Sequence, residues 1–309
     1  MSSVYPAGIP FSSLETASEE KPIWFNNHGK KEDGKYTRYG QLPNGDSFGV
    51  MKTGVWFEPG YYENQAVLVR SDGERKYMTL LGEHYSQRFP DTMTASPSGK
   101  CLLWKIGGTL YSWKPREHES AVQLNDRITR KLEITDAVLR ENGILEFDCS
   151  DGTQWRYCCD ANVMLEPFHG EWTAHCSQDN CDGFDYSLQE IMDADPLITG
   201  LVLGEDVEYV SPSVFSDCGI HRLELSENLQ RIGMEAFAEN PVLERVVIPA
   251  NVMEMESGAF RDCTGLRELE IEGDPARISS WAEDAFLGCP CEAEYLNLRG
   301  SASKSDISR

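Results

Sequence analysis

The stretch LERVVIPANVMEMESGAFRDC, residues 243–263, decides the fold, because the chain repeats its phrasing three more times. LITGLVLGEDVEYVSPSVFSDC (197–218), IHRLELSENLQRIGMEAFAEN (220–240) and LRELEIEGDPARISSWAEDAFLGC (266–289) can be laid over it. Their phenylalanines, Phe215, Phe237, Phe260 and Phe286, recur every twenty-two to twenty-six residues, a period that belongs to leucine-rich solenoids. The last copy is the longest, and its extra residues surround Gly273, Asp274 and Pro275, where a loop absorbs an insertion.

Each copy has a physical grammar. Leu201/Leu203, Leu223/Leu225, Val246/Ile248 and Leu269/Ile271 stand two apart, so both members share one face of a short strand. Val207/Val210, Leu229/Ile232, Val252/Met255 and Ile278/Trp281 stand three apart, as a helical or 3₁₀-like return would place them. The phenylalanine follows, and beyond it come Cys218, Asn240, Cys263 and Cys289, small side chains suited to a tight turn.

LERVVIPANVMEMESGAFRDCTGL and LQRIGMEAFAEN resemble the BspA-like leucine-rich repeats, whose pattern runs strand, proline, V-x-x-I-G, A-F, and C or N before the next leucine. The resemblance is confined to the C-terminal region; Pro249 alone keeps the proline and Gly233 alone the I-G pair. It implies a right-handed solenoid whose strand ladder offers a protein-binding surface, often in bacterial surface or adhesion proteins.

A chain of 309 residues exceeds what one core usually covers, so two domains are expected. Residues 1–21, rich in Ser, Glu and Pro, read as flexible; 22–175 as a β-rich domain; 187–299 as the solenoid; and 300–309 as a disordered tail. The net charge of −23 repels phosphate backbones and anionic lipid, which argues against nucleic acid and membrane surfaces as partners. The opening MSSVYPAGIPFSSLETASEEKP lacks a basic segment followed by an apolar run, so the expectation is a cytoplasmic protein without a secretory signal. Ten scattered cysteines suit reduced thiols better than a disulfide framework.

In the N-terminal domain, residues 23–25 and 36–42 flank the polar run HGKKEDGK, and further apolar runs flank Asp72-Gly73, Gly107-Gly108 and Asp151-Gly152. Two-residue Asp-Gly and Gly-Gly connections are hairpin signals. The domain is therefore an antiparallel meander, a sandwich or a propeller-like array; SPSGKCLLWKIGGTLYSWKP resembles a single propeller blade. From 159 to 186 the chain reads as a polar loop at the domain junction. Ser187-Leu188-Gln189-Glu190 then has the S-x-x-E form of a capping box, opening a helix that caps the solenoid, and residues 291–298 close its other end.

Chemistry-bearing patterns are sparse. His169, His175, Cys176 and Cys181 include metal-capable side chains at a spacing foreign to zinc sites, and a calcium-loop reading of 178–189 puts glutamines where Asp and Glu are wanted. No nucleophile elbow, phosphate loop or HExxH occurs, so no catalytic residue, metal or cofactor is assigned. The best candidate surface is the concave strand face, where Val202, Glu224, Val247 and Glu270 form one outward column and Gly200, Arg222, Arg245 and Glu268 the next. A non-enzymatic protein-binding module is the first expectation. The alternative is a carbohydrate-binding or glycoside-acting β-domain, with Trp56, Trp104, Trp113, Trp155 and Trp172 lining a groove.

Overall fold

A computed structural model describes residues 9–10, 23–24, 35–54, 62–82, 88–115, 120–128, 133–140, 142–184 and 186–305. The chain divides into two compact units, Met1–Asn162 and Val163–Arg309.

The first unit is built from antiparallel meanders. β1 (Ile9–Pro10) and β2 (Ile23–Trp24) are short; β2 opens a five-stranded sheet that continues through β3 (Lys35–Gln41), β4 (Ser47–Gly54), β5 (Tyr62–Val69) and β6 (Arg75–Leu80). A four-stranded sheet follows from β7 (Thr92–Ala95), β8 (Leu102–Ile106), β9 (Thr109–Trp113) and β10 (Val122–Gln123). β11 (Ile134–Leu139), β12 (Ile144–Cys149) and β13 (Gln154–Cys158) form a third run, with β1 on the free edge of β11. Alternation along β4 and β5 gives the first sheet two buried faces. Phe48, Val50, Ala66 and Leu68 pack with Met93, Leu102, Trp104 and Trp113 of the second sheet, while Met51, Val67 and Val69 pack with Tyr36 on the other side. The buried Trp104 indole N–H donates to the Leu81 carbonyl at 2.9 Å, so the largest core side chain is also polar-satisfied.

The hairpin turns depart from the sequence reading in one respect. Gly107-Gly108 is a two-residue connection, with Ile106 paired to Thr109. Asp72-Gly73 and Asp151-Gly152 sit instead in longer turns, in which the Gly N–H bonds back three residues and Arg70 or Cys149 bonds across the turn to the residue after the glycine. Asn44-Gly45 and Asn142-Gly143 repeat the arrangement, each glycine at positive φ and each Asx oxygen accepting from a backbone N–H two residues on. This is a type I turn continued by a left-handed residue, for which Gly carries no Cβ penalty.

The second unit begins where the sequence reads as loop. Residues 163–176 form an antiparallel hairpin, β14 (Val163–Phe168) and β15 (Glu171–Cys176), and α1 (Gln178–Cys181) follows. Val163, Met164 and Leu165 are all buried, so no apolar–polar alternation marks β14 as a strand. α2 (Ser187–Ala194) carries the expected helix, but Tyr186 is its N-cap and Ser187 lies inside it; the capping box belongs to Ser177 and Asn180 of α1.

Beyond α2 the four copies form parallel ladders. β15 pairs with β16 (Ile198–Leu203), and β16 with β18 (Arg222–Glu224), the segment between them holding β17 (Tyr209–Val210). β17, β19 (Arg231–Ile232) and β21 (Glu254–Met255) make a second parallel ladder from the returning segments. β20 (Arg245–Ile248) pairs with β22 (Glu268–Ile271). Between ladders runs the phenylalanine column, all four rings fully buried and stacked at 5.7, 5.2 and 5.1 Å between centroids with interplanar angles of 15°, 14° and 4°.

The Cys/Asn position locks this column through backbone carbonyls. Asn240 donates to the carbonyls of Phe215 and Phe237, both at 2.9 Å, and accepts from the Ile220 N–H at 3.0 Å. The Cys263 thiol donates to the Phe237 carbonyl at 3.2 Å and the Cys289 thiol to that of Phe260 at 2.9 Å. Cys218 has no preceding phenylalanine turn, and its thiol turns to Ser216 of its own copy.

Both ends of the stack are covered. Gln178 takes the place of a missing neighbour strand: its side-chain oxygen accepts from the N–H groups of Glu208 and Tyr209, and its amide donates to the Tyr209 carbonyl. Gln189 of α2 donates to the Val214 carbonyl. At the other end α3 (Glu292–Ser305) lays Tyr295 against Phe286 at 4.8 Å and bonds its hydroxyl to the Ala282 carbonyl. The helix continues past Gly300, from which the sequence reads as disordered; residues 306–309 lie outside the described residues.

Two stability measurements test this arrangement. Phe237→Ala opens a hole in a column stacked on both sides, and chemical denaturation is expected to show a loss of about 3–5 kcal/mol. Glu239, exposed and held at φ 58°, occupies the position that Gly288 takes in the last copy. Glu239→Gly is expected to raise stability by about 1 kcal/mol through relief of the left-handed penalty.

Candidate functional site

The parallel register places the candidate residues in columns on one face. Gly200 pairs with Arg222 and Val202 with Glu224. In the next pair Arg245 stands opposite Glu268 and Val247 opposite Glu270. Val202 and Val247 are half-buried, and Glu224, Glu268 and Glu270 are exposed. The alternate residues Leu201, Leu203, Leu223, Val246 and Ile248 are buried, as two-residue periodicity requires. Leu225, Leu269 and Ile271, expected inward with them, are only half-buried.

The ladder begins earlier than the sequence repeats. Thr173 pairs with Gly200 and His175 with Val202, so β15 adds a strand to the face, and β14 lies beside it. Gly200 is required there: a Cβ would sit 2.5 Å from the Thr173 hydroxyl oxygen. His175 Nε2 lies 2.9 Å from a Glu166 carboxylate oxygen. Phe168, exposed at the end of β14, lies under the Arg222 guanidinium at 4.5 Å. Sequence reading left these residues in a loop: β14 carries no apolar alternation, and the Trp172, Ala174 and Cys176 alternation of β15 is short and lies next to it.

The two arginines have separate partners. Arg222 makes an ion pair with Glu224 of its own strand at 2.6 Å. Arg245 reaches Glu270 at 2.7 Å and Glu268 at 3.7 Å, so the diagonal partner is the nearer. Each pair is more than a third exposed, where water screens it and the net stabilisation is small.

The face is not continuous. Among the described residues no backbone hydrogen bond joins β18 to β20, although the return segments and phenylalanine turns of the same two copies are hydrogen-bonded throughout. A depression of about 570 Å³ lies at this break, with Leu223, Leu225, Val247 and Pro249 along it and Glu227, Glu244 and Glu272 around it. A second depression shares His221 and Glu244 and continues over Pro241, Val242 and Thr264 towards Arg267.

The other sequence candidates are placed elsewhere. Cys176 and Cys181 are buried free thiols, and burial pushes both up, away from the thiolate that zinc takes. Gln178 is engaged by the first return strand as described. Among the described residues no group of three or more His, Cys, Asp or Glu side chains is placed to hold a metal ion. Trp104, Trp113 and Trp155 are core residues, Trp172 is half-buried, and Trp56 lies outside the described residues.

Residues 194–304 match the family model of the BspA type leucine rich repeat region, in six copies. No curated protein and no solved structure matches the chain.

Because the arginine pairs are exposed, they contribute little to folding. In a double-mutant cycle of Arg222→Ala and Glu224→Ala, the coupling energy read from denaturation midpoints is expected to stay below about 1 kcal/mol. A larger value would make the pair a structural element.

Proposed function

From a C-terminal region built of BspA-type leucine-rich repeats, we propose that this protein is a non-enzymatic binding module that holds another protein on the strand face of the repeat solenoid. One observation carries the reading. The register brings charged and half-buried apolar side chains from several copies into columns on one face, while the phenylalanine turns and the two caps account for the buried surface. Side chains held in fixed columns on a rigid ladder present a recognition surface at little ordering cost. The buried tryptophans favour this reading over a sugar-binding groove in the β-rich domain.

The test is independent of the partner's charge. A photo-crosslinking amino acid is placed singly at Val202, Glu224, Val247 and Glu270, and, for comparison, at Glu239 and Asp262 on the phenylalanine turns. In extracts of the source cell, the strand-face positions are expected to trap one protein species and the turn positions none. Trapping only at the turns, or equally everywhere, would refute the assignment.

A further inference from the structure

Resting on the strand-face reading, we infer that the break between β18 and β20 is a docking groove for an extended, basic segment of the partner protein. The groove crosses the strand face between neighbouring copies, at the place where the ladder lacks inter-strand hydrogen bonds. Its floor is apolar: Leu223 and Pro249 are buried there, and Leu225 and Val247 are left half-buried, although leucine at the Leu225 position faces inward by pattern.

Charge decides the occupant. Both arginines at the groove are already neutralised, Arg222 by Glu224 and Arg245 by Glu270 and Glu268. Glu227, Glu244 and Glu272 are exposed on its rim and take part in no ion pair among the described residues. Three carboxylates thus stand without an ion-pair partner around an apolar floor. An extended peptide alternates its side chains, so lysine or arginine can reach the rim while every second, apolar residue lies on Leu225 and Val247. The second depression adds Arg267 and no carboxylate beyond the Glu244 it shares with the first, so the basic side chains belong to the first. An acidic segment would face the three unpaired carboxylates and be repelled.

The experiment uses the full chain and three fluorescein-labelled heptapeptides read by anisotropy: alternating Lys-Val, alternating Lys-Ser and alternating Glu-Val. The Lys-Val peptide is expected to bind at least tenfold more tightly than the other two. Glu227→Gln, Glu244→Gln and Glu272→Gln together are expected to weaken it tenfold or more. A control with the same change in net charge, Glu208→Gln, Glu283→Gln and Glu294→Gln, is expected to change it less than twofold, with both triple variants melting like the parent chain. Equal losses in the two triple variants would mean that overall charge alone attracts the peptide, and the groove assignment falls. It falls equally if Lys-Ser binds as well as Lys-Val, or if no peptide binds. If crosslinks from Val202 and Val247 trap a partner while the groove variant leaves capture of that partner intact, the strand-face reading stands and the basic-segment inference alone fails.

Discussion

The second unit depends on one contact repeated from copy to copy: a phenylalanine ring laid on the ring before it, with a side chain from the Cys/Asn position bonded to the preceding phenylalanine's carbonyl. A single repeat copy is too thin to bury its own apolar side, so each ring stacks on the rings of neighbouring copies. Rings 5.1 to 5.7 Å apart supply the apolar contact. Asn240, Cys263 and Cys289 supply the polar part, because a buried carbonyl without a donor would cost more than the bond contributes. Cysteine serves at a position where asparagine also serves because both are small and both can donate to a carbonyl. The caps obey the same logic: Tyr295 ends the ring column, and Gln178 ends the ladder of return strands with a side-chain amide in place of a backbone one.

With the column and the return ladder joining the second and third copies, their strands are released from doing so. β18 and β20 lose their pairing without separating the two copies, since the phenylalanine turns of the same copies stay hydrogen-bonded. That freedom produces a groove, and the acidic composition of the chain determines its character. Two arginines stand on the face, each claimed by its own glutamates, and the carboxylates left over give the rim its sign.

Much of this was legible in the residues themselves. The phenylalanine spacing, the two-apart strand pairs and the three-apart return pairs are direct records of burial, and every return pair and every phenylalanine is buried. The outward columns followed from the same periodicity. The hairpins at Asp72-Gly73, Gly107-Gly108 and Asp151-Gly152 were legible, because each of these reversals uses a left-handed glycine. Harder to read were β14, whose Val163-Met164-Leu165 run carries no alternation, with β15 beside it, whose alternation spans only Trp172, Ala174 and Cys176, and the capping box, where two Ser-x-x patterns lie ten residues apart and only one opens its helix as the cap. The columns did not fix the partners of the arginines: Glu270, the nearer partner of Arg245, is a diagonal neighbour, and Phe168 belongs to a strand that sequence did not disclose.

The sequence by itself determined the repeat, its period, the side chains turned inward and the face left outward, because burial of an apolar side chain leaves its mark at fixed intervals along the chain. Tertiary structure alone decided where the ladder opens, which carboxylates neutralise Arg222 and Arg245, which are left over, and how Gln178 and Tyr295 close the ends. Those outcomes depend on distances between residues of different copies, and no local periodicity encodes whether two neighbouring strands come close enough to share their hydrogen bonds.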